Sequence, residues 1–522
     1  MGSTGTDIDI LLLVRRACEE DPDLPVLIFD DGVTVTRERL WNEVLSFAGY
    51  LEERMKPGQR VAIMLENRTE FMIAWLACVA TRTILVSMNP TAQLHDAKHI
   101  LQDADVRLAI VDRDHAELFV QLQPECPALG EIVIVEGEEP SGLARYLGTW
   151  SGARDKNANE DITNVYYTSG TTGPPKGCAI DHEYWLHFVD LAIGLYEIDQ
   201  SDRMLCCLQF FYNDPPWQLL MSLRARTTLV VMRRFSVSRY WDVVRANDVT
   251  VLFGIASTAL LLLKAPVSEL DHAHKVRLAI QVGIPAPLHR ELVERWGVPW
   301  VEGYGLTETG LVVAMPVALA EEMIGSGSIG LPCKGVELRV VDAEDNDVEV
   351  GTIGEMILRA PGLMKGYLNR PEANAEAFRG EWFHTGDLGI VDENGFLYFQ
   401  GRNKDIVRRN GENIAAAEVE NVLRGHPKVI EAAVVPVPDP LRGEEVKIFI
   451  LLESDDAKHA VTPDELIDYC STRLARYKIP RFVEFRVDDF ERTPSMRVKK
   501  QELSRSVDDH HVVWDREREL GW

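Results

Sequence analysis

The stretch Arg60-Val61-Ala62-Ile63-Met64-Leu65, followed by Thr69–Arg82 and then by Ile84-Leu85-Val86-Ser87-Met88, decides the fold class. The first and last pieces are short, continuous apolar runs rich in β-branched residues, which read as strands buried on both faces. The middle piece is longer and carries Ala, Leu and Met, good helix formers. Strand, helix and strand in succession make the repeating unit of a parallel sheet covered by helices. Arg82 interrupts the apolar run Phe71–Met88, so the run reads as a buried helix followed by a strand and not as a membrane span.

The same alternation continues outward. His95–Asp103 reads as a helix and Val106–Val111 as a strand. Later, Thr250–Phe253, Val276–Val282 and Pro299–Val301 read as strands, with Thr258–Lys264 and Leu288–Trp296 as helices between them. Two such blocks predict a large α/β body of two layered subdomains. After about Gly325 the pattern changes. Val336–Val341, Gly354–Arg359 and Gly389–Phe399 read as antiparallel strands of a β-rich subdomain, the last folded at Asn394-Gly395. Beyond Gly401–Asp405 comes a compact α+β pattern, with helices at Ala416–Arg424 and Pro463–Arg476 and strands at Ala432–Val437, Val446–Leu452 and Phe482–Val487. The expected organisation is a body over residues 1–400, a boundary at 401–405 and a small α+β domain over 406–522.

Composition narrows the function. The chain has 522 residues, 46% apolar and 26% charged, ordinary for globular domains. Lys and Arg total 55 against 82 Asp and Glu, a net charge of −27. Such a surface repels a polyanion, which excludes nucleic acid as the expected partner. The eight cysteines include no CxxC pair, and Met1–Thr6 is small and polar with no apolar h-region. The expected location is a reducing cytoplasm. His95 and His99 have the i, i+4 spacing of a metal pair but no third ligand nearby, so no metal site is expected there.

The densest signal is Tyr166-Tyr167-Thr168-Ser169-Gly170-Thr171-Thr172-Gly173-Pro174-Pro175-Lys176-Gly177, directly after the apolar Ile162–Val165. Glycines let the backbone approach a ligand and present its N–H groups, hydroxyls donate to phosphate oxygens, and lysine adds a compact positive charge. The segment is built to hold a polyphosphate. Its spacing is not that of a Walker loop. Gly325-Ser326-Gly327-Ser328-Ile329-Gly330 fits a dinucleotide fingerprint in letters only: it runs into Leu331-Pro332 and not into a helix, and reads as a plain loop.

Tyr167–Gly177 resembles the phosphate loop of the adenylate-forming enzymes, the superfamily of acyl- and aryl-CoA synthetases, luciferases and peptide-synthetase adenylation domains. Three further segments resemble its motifs in the same order: Tyr304-Gly305-Leu306-Thr307-Glu308-Thr309, Thr385-Gly386-Asp387, and Gly401-Arg402-Asn403-Lys404-Asp405 with Gly411-Glu412-Asn413-Ile414. The likeness is nearest to the acyl-CoA ligases. It implies that an acid and ATP give an acyl-adenylate and pyrophosphate, and that a thiol, usually coenzyme A, then displaces AMP. It implies ATP and Mg²⁺ as cofactors and CoA as co-substrate. Thr168, Ser169, Gly170, Thr171, Thr172, Gly173 and Lys176 would hold the phosphates, with Thr307 beside the α-phosphate and Glu308 on Mg²⁺. Tyr304 would stack on adenine, Asp387 accept the ribose hydroxyls and Arg402 bridge ribose and phosphate. The small domain would swing as a lid about a hinge at Lys404.

The chain departs from that pattern in three places. The C-terminal catalytic lysine is replaced in Thr493-Pro494-Ser495-Met496-Arg497-Val498-Lys499-Lys500. Arg497 takes the lysine's work, or Lys499 or Lys500 does so through a shifted loop. In the acyl pocket, Gln209-Phe210-Phe211-Tyr212-Asn213-Asp214-Pro215-Pro216-Trp217 puts Tyr212 where a histidine is usual. Aromatic residues suit a flat acid, and Asp214 beside Trp217 suits a cation; alternatively Asp214 caps a helix starting at Pro215. Gly283-Ile284-Pro285-Ala286-Pro287 replaces a more glycine-rich segment and would narrow the space beside adenine.

The leading expectation is an ATP-dependent acid–CoA ligase acting on a small-molecule acid. The alternative, kept open by Arg497, passes the activated acid to an amine or other nucleophile without CoA. A non-catalytic ATP-binding protein is disfavoured by the intact Lys176, Glu308 and Asp387. Monomer and homodimer both stay open.

Overall fold

The computed structural model describes residues 9–137, 142–152, 161–168, 175–402, 405–409, 412–439, 441–452, 461–492, 498–505 and 514–519. Arg60–Met64, Thr69–Thr81 and Ile84–Ser87 form the expected strand, helix and strand, and the two strands pair in parallel. They belong to a seven-stranded sheet in which Glu131–Val135, Val106–Asp112, Arg60–Met64, Ile84–Ser87 and Ile162–Thr168 lie side by side in parallel. Lys176–Asp181 and then Gly366–Tyr367 are added antiparallel at one end.

A second sheet of nine strands sets Pro25–Phe29, Thr228–Val231, Arg203–Cys206, Val251–Ile255, Leu278–Val282 and Trp300–Leu306 in parallel order. One core joins the two sheets, with Ile63 and Leu85 from one and Leu27, Met204 and Leu229 from the other. The helix Thr69–Thr81 is buried along its whole length, which explains why its sequence has no polar face. Its Trp75 indole donates to Asn164 at 2.9 Å. Among the described residues no helix is long and apolar enough to cross a membrane, and none of the eight cysteines forms a disulfide.

Glu337–Val341, Gly354–Arg359, Phe383–Val391 and Leu397–Arg402 make the expected antiparallel sheet. The last two strands are joined through Asn394-Gly395, with Gly395 at φ +84°, the left-handed conformation that glycine adopts without strain. The remaining sheet, six strands from Ile406–Arg409 to Trp514–Asp515, carries the helices Ala416–Arg424 and Pro463–Ser471. Several boundaries shift by one to three residues and three by more; one of these is the strand expected from Gly389, which begins at Phe383. The helix expected at Pro463–Arg476 ends at Ser471, because Ala475 is extended and Arg476–Lys478 form a separate 3₁₀ turn. The strand expected at Pro299–Val301 runs on to Leu306, through the glycines of the Tyr304 motif.

Candidate active site

The strands on either side of the expected phosphate-binding segment pair with each other. Ile162–Thr168 and Lys176–Asp181 pair antiparallel with Thr168 opposite Lys176, and the Thr168 hydroxyl donates to the Lys176 carbonyl at 3.5 Å. Ser169, Gly170, Thr171, Thr172 and Gly173 lie outside the described residues. Gly366–Tyr367 lines the free edge of this strand pair, with Tyr367 opposite Cys178. That register puts the Lys176 ammonium 5.1 Å from the centre of the Tyr367 ring, within cation–π range. The Tyr367 hydroxyl donates to Glu308 Oε1 at 3.0 Å. Burial, reinforced by the Glu308 charge, pushes this phenol far up, so it keeps its proton and acts as a donor. Lys176 and Glu308, on different sheets, thus share one tyrosine.

Glu308 sits in the turn between the antiparallel strands Trp300–Leu306 and Gly310–Ala314. The turn is tight: a Cβ on Gly305 would stand 2.0 Å from the Gly310 carbonyl oxygen. The Thr309 hydroxyl locks it, accepting from the Leu306 N–H at 3.0 Å and donating to the Gly310 carbonyl at 2.9 Å. Thr307 and Glu308 are left half-buried at its tip.

Asp387 and Arg402 face each other across paired strands. Arg402 Nε lies 3.2 Å from Asp387 Oδ1, and the Tyr304 hydroxyl donates to Asp387 Oδ2 at 2.8 Å. Tyr304 is buried, its ring 6.1 Å from that of Phe399. Tyr304, Asp387 and Arg402 therefore form one connected group, and it is the Tyr304 hydroxyl that ties the Glu308 strand to the Asp387 strand.

In the expected acyl pocket, the helix runs Asp214–Arg224, with Asn213 as its N-cap and no side-chain capping bond. The alternative in which Asp214 caps a helix from Pro215 does not hold. Asp214 keeps some exposure, yet burial of its carboxyl pushes it up to about 6, against the pull of its own backbone N–H. The Trp217 ring lies 4.6 Å from that of Phe188 at a tilt of 31° and meets Phe253 edge-on at 5.1 Å. Tyr212 is half-buried against Phe211 at 4.1 Å.

Gly283 stands at φ +82°, and both its N–H and that of Ile284 donate to the buried Glu302 carboxylate, the latter at 2.6 Å. Burial pushes Glu302 up to about 8, against the pull of those two N–H groups. The folded chain thus keeps a proton that the unfolded chain releases near about 4.3. The stability linked to that proton is complete below the unfolded value and drains away as pH rises through about 8. Glu302→Gln has no proton to lose there, so its melting temperature relative to the parent should rise between pH 5 and pH 9. A difference that stays flat across that range would contradict the assignment.

In the C-terminal unit, Lys404 and Arg497 lie outside the described residues. Lys499 Nζ pairs with Glu502 at 3.3 Å and Glu491 at 3.6 Å. Lys500 Nζ pairs with Glu420 at 2.7 Å and Asp405 at 3.6 Å. Away from these groups, His99 donates from Nε2 to the Pro175 carbonyl at 3.0 Å, and no His, Cys, Asp or Glu cluster fit for a metal occurs among the described residues.

Sequence reading missed Tyr367 and Glu302. A glycine before Tyr367 was the only local signal for the first, and Gly366 takes φ +130°. A lone carboxylate within an apolar strand run was the signal for the second.

Residues 14–368 match the AMP-binding enzyme family and residues 418–497 the AMP-binding enzyme C-terminal domain. A fatty acid–[acyl-carrier-protein] ligase, ScoC of Streptomyces coeruleorubidus, is 31% identical over 93% of this chain and 94% of its own. A crotonobetaine/carnitine–CoA ligase of Salmonella typhimurium is 29% identical over 83% of this chain and 86% of its own. The ATP-bound crystal structure of MatB from Rhodopseudomonas palustris is 26% identical, covers 96% of this chain and 99% of its own, and superposes with a TM-score of 0.86.

Proposed function

We infer, from the premise that the chain belongs to the family of AMP-binding enzymes and is an AMP-forming ligase, that it is an ATP-dependent acid–CoA ligase. The observation that carries this reading is the meeting of Lys176, Tyr367 and Glu308 beside the expected phosphate-binding segment. A carboxylate attacking the α-phosphorus of ATP brings like charges together, and the site must neutralise them. Lys176 supplies positive charge there. Thr168, Ser169, Gly170, Thr171, Thr172 and Gly173 supply hydroxyl and backbone donors to the phosphates, and Thr307 flanks the α-phosphate. Glu308 offers hard oxygen ligands of the kind Mg²⁺ takes; bound there, the ion would draw charge from the departing pyrophosphate. Asp387 receives the ribose hydroxyls and Arg402 spans ribose and phosphate, with Tyr304 packed at the adenine. In the first step a carboxylate oxygen bonds to the α-phosphorus as the bond to pyrophosphate breaks. In the second, the thiol gives up its proton to solvent and its sulfur bonds to the acyl carbon as the bond from that carbon to the AMP oxygen breaks.

Residues 1–400 form the body, 406–522 the lid, and Lys404 the pivot in 401–405. The names of the two curated relatives differ in both acid and acceptor, so CoA is the proposed acceptor and not a consequence of family membership. A screen of acids by ATP–pyrophosphate exchange, repeated for AMP release with CoA, with holo-acyl carrier protein and with amines, tests it. Thioester formation on CoA is the expected result; AMP release that only a carrier protein or an amine stimulates would overturn it.

Tyr367 has a positioning role in this reading. Tyr367→Phe keeps the ring under Lys176 and loses the bond to Glu308. The expected outcome is a tenfold or greater rise in KM for MgATP, in line with about 1.5–3 kcal/mol for a hydrogen bond to a charged group, with kcat changed less than twofold. An unchanged KM would remove the role.

A further inference from the structure

Asp214 is a carboxylate in an aromatic enclosure with no counter-ion. Among the described residues no basic side chain pairs with it, and its helix does not use it as a cap. Tyr212 lies two residues before it, and Trp217 follows about one turn later on the same helix. Buried carboxylates are ordinarily paired. This one keeps some exposure, so it is open to a visitor and not sealed in the core.

Two contacts fix where the enclosure lies. Asn213, next to Asp214 in the chain, donates to the Tyr184 hydroxyl at 2.9 Å. The Phe188 ring lies between Trp217, at 4.6 Å, and Gly310, where a Cβ would approach it to 3.2 Å. Gly310 ends the turn that carries Glu308. Asp214 is therefore linked to the turn that carries Glu308 through the rings of Trp217 and Phe188. With two rings between them, it is placed to read the end of the acid remote from the reacting carboxylate.

We propose that Asp214, with Tyr212 and Trp217 beside it, selects an acid that carries a cationic nitrogen at the end remote from its carboxylate. The inference rests on the acid-ligase reading above and names the substrate class of that site. The single carboxylate supplies the opposing charge, and the ring faces attract an ammonium through their quadrupoles. A cation entering the site gives the carboxylate the counter-ion it lacks.

The test uses the full-length enzyme and pairs of acids that differ only in exchanging a carbon for a charged nitrogen. One pair is 4-(trimethylammonio)butanoate and 5,5-dimethylhexanoate; the other is a primary ω-amino acid and the alkanoate of equal length. The readout is kcat/KM in ATP–pyrophosphate exchange. The parent enzyme should prefer the cationic member of at least one pair by tenfold or more. Asp214→Asn should bring that preference within threefold. Trp217→Phe, which keeps a ring, should retain the direction of the preference. Thermal melting of Asp214→Asn without substrate should match or exceed the parent, because an unpaired carboxylate is removed from an apolar enclosure. Exchange on neutral acids with no cation preference, or a preference that survives Asp214→Asn, overturns this proposal alone. Absence of exchange with every acid overturns the ligase reading and this proposal with it.

Discussion

Glu308→Gln should lower acid-dependent ATP–pyrophosphate exchange by a hundredfold or more, in line with the about 10²–10³ lost when one preorganised electrostatic group is removed from a transition state. The substitution isolates charge from shape. Glutamine has nearly the volume of glutamate, and its amide oxygen can still accept from the Tyr367 hydroxyl that now donates to Glu308 at 3.0 Å. The turn is held by Thr309 and by the Met364 N–H on the Glu308 carbonyl at 2.9 Å, none of which involves the carboxylate. The fold should therefore survive, and a melting curve superimposable on the parent's would document that. The Mg²⁺ concentration at half-maximal exchange should rise as well. A fall of less than threefold would mean that Glu308 does not face the reacting phosphates.

Arg497→Ala should cost a comparable factor, while Lys499→Ala should leave exchange within threefold of the parent. The argument lies in the ion pairs. Lys499 is held by Glu491 and Glu502, and Lys500 by Glu420 and Asp405. All of these partners except Asp405 belong to the same C-terminal unit, and Asp405 closes the proposed hinge. A rigid swing of the lid would carry Lys499 along with its partners and would not release its charge. Lys500 is held more firmly, in a largely buried pair with Glu420. Burial alone would raise its carboxyl, yet Lys500 and Arg424 draw it below its ordinary value. On the proposed reading Arg497, with a planar fork in place of a point charge, is then the residue expected to meet the acid carboxylate and the α-phosphate. If Lys499→Ala were the damaging change, the shifted-loop alternative would be the correct one.

The sequence revealed elements whose local pattern and packing environment agree. The helix Thr69–Thr81 was legible because burial on every side leaves an apolar run with no period to misread. The hairpin at Asn394-Gly395 was legible because its turn requires a residue tolerant of positive φ. The motif strands were placed through their glycines and acids. What stayed hidden depends on distant chain. Gly366–Tyr367 is a strand of two residues, too short to show alternation, and pairs with residues 178–179 only through the tertiary fold. Tyr367 could not be tied to Lys176 without that register. Glu302 sits among valines and glycines, and nothing nearby in sequence announces the two N–H groups it accepts. The helix from Pro463 was overextended because Thr472–Arg476 carries good helix formers. It stops where Ala475 turns extended.

The late arrival of Gly366–Tyr367 bears on biosynthesis. Until the ribosome has released residue 367, the nascent seven-stranded sheet ends in Lys176–Asp181 with its outer N–H and C=O groups unclaimed, an open template for pairing with another chain. A product truncated upstream of Gly366 would lack the tyrosine and also leave that border bare, and should be recovered in inclusion bodies where the whole polypeptide is not.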